Sequence, residues 1–88
     1  MTDEKLKIDF ATFVMSLHTS ALMHLGIIAN PIDNKTSINL DLARQNIDIL
    51  EMFHDKTKGN LSEDEKKIID SSLYDLRMKY IEGTKKKN

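Results

Sequence analysis

Residues 10–29 read FATFVMSLHTSALMHLGIIA, twenty positions without a single Asp, Glu, Lys or Arg. A membrane span needs about 20 apolar residues, so that reading comes first. Thr12, Ser16, His18, Thr19, Ser20 and His24 interrupt the run, and Gly26 ends its helical part after about 16 residues, short of the usual 17 to 25. The stretch therefore predicts a buried helix of a soluble protein, about Phe10 to Leu25, with Asp9 as N-cap and no membrane span. Phe10, Phe13, Val14, Met15, Leu17, Ala21, Leu22 and Leu25 cover more than half of its circumference, and Thr12, Ser16, Thr19, Ser20 and Met23 carry no charge on the remainder. A helix without a charged face has no face suited to water. A chain of 88 residues has too little material to wrap one helix on all sides, so a second copy is the economical cover. Thr12, Ser16, Thr19, Ser20 and Met23 are the candidate self-association residues. The small hydroxyl side chains of Thr12, Ser16 and Ser20, at spacings of four, would let two backbones approach closely, a logic best attested in membrane helices.

Beyond Gly26, Asn30 and Pro31 forbid continuation, and IANPIDNKTSI reads as a long loop with a turn at Asp33 and Asn34, under which Ile27, Ile28 and Ile32 are expected to tuck. A second helix is predicted over about 40–58, capped by Asn39 and stopped at Gly59. Leu42, Ala43, Ile47, Ile49, Leu50 and Phe53 share one side of it, opposite Arg44, Asp48, Glu51 and Asp55. Asn46 projects from the apolar arc, where it needs a hydrogen-bond partner in a loop or a neighbouring helix, or sets register in an oligomer. Ser62 and Glu65 form a capping box opening a third helix over about 63–82. The three residues Gly59, Asn60 and Leu61 force it antiparallel to the second. Its core stripe is Ile69, Leu73, Leu76 and Tyr80. A separate stripe of Tyr74, Met78 and Ile81 is either the flank of a wide buried face or a surface for a partner. Residues 83–88, GTKKKN, read as a polar basic tail. The expected architecture is all-α and single-domain over 1–82: an apolar first helix, a long loop and an antiparallel helical hairpin, assembled as an oligomeric helical bundle.

Composition narrows the function classes. There are 13 Lys plus Arg against 14 Asp plus Glu, no Cys and no Trp. The absence of Cys removes disulfides, thiolate metal sites and thiol catalysis, and points to a reducing, cytoplasmic setting. A net charge of −1 argues against nucleic acid as a partner, because phosphate neutralisation needs a basic excess. Lys85, Lys86 and Lys87 are too few and lack interleaved aromatics. The opening MTDEKLKID mixes both signs of charge, unlike a secretory signal.

His18, His24 and His54 are the only groups suited to metal ligation or acid/base work near neutral pH. His18 and His24 are six apart, which spreads them around the helix instead of stacking them on one side. A metal or ligand site would therefore need residues from more than one subunit. Ser71 and Ser72 lie within a helix, without a glycine-flanked elbow, and no glycine-rich phosphate loop exists. Glu63, Asp64, Glu65, Asp70 and Asp75 fall where capping, the helix dipole and pairing with Lys67 and Lys79 account for them. No catalytic residue, cofactor-binding residue or cofactor is expected, and the chain is not expected to be an enzyme.

The segments LDLARQNIDIL, KTKGNLSEDE and LYDLRMKY, together with FATFVMSLHTSALMHLG, resemble a bacterial family of small helical proteins, the domain of unknown function 1844 family, over roughly Phe10 to Tyr80. The resemblance implies a compact, soluble, helical bacterial protein and brings no activity or cofactor with it. The expected role is that of a non-enzymatic assembly or adaptor subunit that self-associates through the first helix and presents Tyr74, Met78 and Ile81 to another protein. The alternative is a small metal- or ligand-binding protein using His18, His24, His54 and carboxylates between subunits.

Overall fold

The structure, a computed structural model, describes residues 9–87, with side chains through residue 85. It consists of α1 (Phe10–His24), α2 (Leu40–Lys56) and α3 (Glu63–Lys87), with no strand among the described residues. Each helix begins where its sequence offers an acceptor to free amides. The Thr12 amide donates to the Asp9 carboxylate at 2.8 Å, and the Leu42 amide to the Asn39 side chain at 3.1 Å. At α3 the Ser62 amide donates to Glu65 Oε1 at 2.9 Å and the Glu65 amide returns to Ser62 Oγ at 3.2 Å, a complete capping box. After α1 the chain leaves through Gly26 at φ 77, with the Ile27 amide donating to the Leu22 carbonyl and the Gly26 amide to that of Met23. This is a Schellman closure, which requires the left-handed conformation glycine adopts freely. A Cβ at Gly26 would also lie 2.7 Å from Ile38 Cγ1.

Helix α2 is antiparallel to both others, and α1 and α3 run the same way. Phe10 stacks on Phe53 with ring centroids 5.3 Å apart; at the opposite end the Asn39 amide meets the His24 carbonyl at 2.7 Å. Leu40 and Leu25 both reach Gly83. All three helices contribute to one core of Val14, Ala21, Leu25, Ala43, Ile47, Leu50, Ile69, Leu73 and Leu76. Tyr80 and Phe53 pack on its edge, but Leu42 is 40% exposed. Leu42 lies in the first turn of α2, on the rim of the apolar arc instead of its centre.

Several boundaries differ from the sequence reading. Helix α2 ends at Lys56 because the Thr57 hydroxyl donates to the Phe53 carbonyl at 2.8 Å, closing the last turn before Gly59. Helix α3 does not stop at Glu82: residues 83–87, read as a polar tail, continue it. A mid-helix glycine costs about 1 kcal/mol, yet α3 runs on through Gly83 beside Leu40 and Leu25, which a Cβ there would meet at an ordinary contact distance of 3.5 and 3.6 Å. The lysines that follow sit in the last turn, where the helix dipole favours positive charge. The loop holds the expected turn, with Asn34 at φ 58 and the Lys35 amide on the Asp33 carboxylate. Its isoleucines do not all tuck beneath it: Ile27 is exposed, and Ile32 is 91% exposed. The loop folds on its own backbone, with the Asn30 amide on the Lys35 carbonyl and the Asn34 amide on the Asn30 carbonyl, and reaches out instead of back across the bundle. The opening residues 1–8 and Asn88 lie outside the described residues.

Candidate interaction surface

The outward side of α1 is the most unusual surface of the molecule. Thr12, Ser16 and Thr19 are exposed, and Ser20 and Met23 are half-buried. Met15, beside them, is 48% exposed. These side chains carry no charge, and the polarity that exists is partly spent within the helix: the Ser16 hydroxyl donates to the Thr12 carbonyl at 3.0 Å. Helix α1 hence buries Val14 and Ala21, and its C-cap Leu25, in the core and offers water an uncharged face. Such a face leaves apolar surface in contact with solvent, which removal into an interface would stabilise by about 25 cal/mol per Å².

A second exposed stripe lies on the back of α3. Tyr74 is 69% exposed, and Met78 and Ile81 are about half exposed, so this stripe is surface and not the flank of the buried face. Lys67 and Lys85 share that side by helical position and are exposed.

The histidines are distributed, not gathered. His18 bridges α1 to α3, with Nε2 3.0 Å from Asp75 Oδ2 and Nδ1 3.4 Å from Ser72 Oγ. A carboxylate only accepts, so Nε2 donates in the contact with Asp75. Asp75 also accepts from Lys79, one turn on. The Lys79 hydrogen bond, with a smaller contribution from His18, outweighs partial burial and holds the Asp75 carboxyl below the ordinary aspartate value. Ser, His and Asp thus meet in one chain of contacts, but not in a form suited to nucleophilic attack. Ser72 is buried in the middle of α3, where backbone amides are engaged in the helix and none is free to stabilise an oxyanion. The group works as a polar cross-brace that fixes the register of α1 on α3.

His54 plays the same part on the other seam. Its Nε2 lies 3.0 Å from Asp70 Oδ1, and a turn away Arg77 donates twice to Glu51 Oε2, at 3.1 and 2.8 Å. These residues line an open groove of about 450 Å³ between α2 and α3. Asp55 Oδ1, at 3.6 Å from His54 Nδ1, is too distant for a hydrogen bond. His24 sits in the last turn of α1. Among the described residues no group of three or more His, Cys, Asp or Glu side chains is placed to hold a metal ion. Among the described residues Asn46 is the one buried side chain with an unpaired polar atom, its Nδ2 meeting no hydrogen-bond partner within the chain.

Sequence reasoning did not find the His18 to Asp75 and Ser72 contacts. Ser72 carried a usable signal, since it falls three after Ile69 and four before Leu76, in line with the core stripe. Asp75 carried none beyond Lys79, because its second partner is 57 residues away. Residues 7–82 match the sequence model of a family described as Domain of unknown function (DUF1844), and the chain belongs to that family. No curated protein and no solved structure matches it. Among the described residues no helix is long and apolar enough to cross a membrane.

Proposed function

We propose that this member of the DUF1844 family is a non-enzymatic helical assembly subunit of the cytoplasm, which self-associates through the outward face of α1. The observation that carries this reading is the uncharged, solvent-exposed strip of Thr12, Met15, Ser16 and Thr19. In a finished monomer that position calls for charged side chains, as on the outward side of α2. The back of α3 at Tyr74, Met78 and Ile81 then serves as the surface presented to a different protein. A non-enzymatic role is supported by the absence of free oxyanion donors around Ser72 and by the engagement of His18 and His54 in contacts between helices.

Ser16→Glu tests the reading. A carboxylate on this strip would have to be desolvated without a partner, at a cost of several kcal/mol. Light scattering after size exclusion is expected to give a wild-type mass at a multiple of 10.1 kDa and a folded, dissociated Ser16→Glu variant. A wild type that stays monomeric at micromolar concentration ends the proposal.

A further inference from the structure

We infer that one end of the bundle, formed by the loop after α1 and the last turn of α3, docks on the surface of an anionic lipid bilayer, with Ile32 entering the interface and lysines facing the head groups. The loop leaves and rejoins the bundle at one place, where the Asn39 amide donates to the His24 carbonyl at 2.7 Å. Helix α3 reaches the same end. Gly83 lies beside Leu25 and Leu40, and residues 84–87 carry the helix about 6 Å further.

Three isoleucines are held out into water here. Ile32 is 91% exposed, Ile38 is 61% exposed and Ile27 about half exposed. Slack chain does not explain Ile32. Its amide donates to the Asn30 side chain at 2.9 Å, the Lys35 amide donates to the Asp33 carboxylate at 3.1 Å, and the Asn30 amide to the Lys35 carbonyl at 2.9 Å. A turn tied on both sides therefore presents the side chain, and an aliphatic group already held in place gains from entering an apolar phase with little further ordering to offset.

Charge selects lipid as that phase. The lysines after Gly83 are too few by themselves, but the fold adds Lys35 from the loop, which brings this end to the lower edge of the roughly four to eight basic residues that hold a protein on an anionic leaflet. Lys35 and Lys85 are both exposed. The acidic groups at this end are Asp33, Asp41 and Glu82. Asp33 is engaged by the Lys35 amide, and Asp41 lies in the first turn of α2, where it answers the helix dipole. The end keeps a positive excess in a chain whose net charge is −1, so an anionic surface attracts it and repels the acidic start of α3. A fluid interface also takes up separate apolar side chains without the matched grooves that a folded protein partner would have to supply.

The chain has no tryptophan, so Ile32→Trp reports the surroundings of this one position. Unilamellar phosphatidylcholine vesicles, with and without phosphatidylserine, are added to the full chain. Emission is expected to shift to the blue, and the protein to float with the vesicles that contain phosphatidylserine; phosphatidylcholine alone should hold it several-fold less. Met52→Trp, exposed toward the other end of α2, should keep its spectrum. Ile32→Ser should weaken flotation about tenfold and Lys85→Gln about fivefold. Both sites lie outside the core, and circular dichroism checks that the variants remain helical. Absence of flotation, equal binding to the two kinds of vesicle, or flotation that Ile32→Ser leaves unchanged would overturn the inference. A blue shift of Ile32→Trp that appears without vesicles as protein concentration rises would assign the loop to a contact between copies and overturn it as well.

Discussion

Helices α1 and α2 are nearly equal in length, 15 and 17 residues, and both give residues to the same core, Val14 and Ala21 from the one and Ala43, Ile47 and Leu50 from the other, yet they finish their outward sides in opposite ways. On α2 the side away from the core carries Asp41, Arg44, Gln45 and Asp48, all exposed, and Arg44 pairs with Asp48 one turn on at 3.1 Å. On α1 the corresponding side carries Thr12, Met15, Ser16 and Thr19. Water completes α2; α1 is left with nothing that water solvates strongly. Burial inside the monomer is therefore a poor guide to which helix is finished, and the chemistry of the exposed side separates them.

Four substitutions sharpen that contrast, beginning with the core the two helices share. Leu73, buried in that core, is expected to cost about 2 to 5 kcal/mol when truncated to Ala. Denaturant melts give the value, and a loss below half a kilocalorie would remove Leu73 from the core on which both faces depend. Asp75 comes next, because it ties α1 and not α2 to α3. Its folded carboxyl is held below the ordinary aspartate value, first by Lys79 and then by His18, so its contribution is present above the unfolded value and is lost as pH falls through the folded one. With a side chain 36% exposed, that contribution is expected to be below about 1 kcal/mol. Thermal melts across the acid range should show the wild type losing more stability than Asp75→Asn; parallel curves would dissociate the cross-brace from stability.

Smaller effects are expected on the outward side of α2. Asp48→Ala removes the partner of Arg44, which for an exposed pair one turn apart amounts to about 0.3 to 0.5 kcal/mol, and this difference should fade in high salt. Gln45→Glu is the counterpart of Ser16→Glu: one charge added to the outward side of a central turn. Stability within about 0.5 kcal/mol of wild type and an unchanged mass by light scattering are expected. If both variants lowered the mass alike, the distinction between the two helices would be lost.

Local signals were enough for much of the architecture. Asp9, Asn39 and the Ser62 and Glu65 pair name their helices' starts because the capping acceptor lies within three residues of the amide it satisfies. Gly26 and Asn34 mark the left-handed turns because few other residues take positive φ cheaply. The uncharged arc of α1 was legible for the same reason, since the period of a helix fixes which side chains share a side.

The amino-acid sequence alone determined three helices, their caps, the antiparallel turn of α2 into α3 and the absence of charge on one side of α1, all properties set by neighbours within about four positions. Only the packed structure decided that α1 runs parallel to α3, that His18 meets Asp75 and Ser72, and that α3 continues past Glu82 beside Leu40 and Leu25. It also decided that Ile32 faces water and Leu42 lies on a rim. Those outcomes depend on which helix faces which and at what height, and contacts between residues more than fifty positions apart leave no periodicity in either partner's sequence from which to read them.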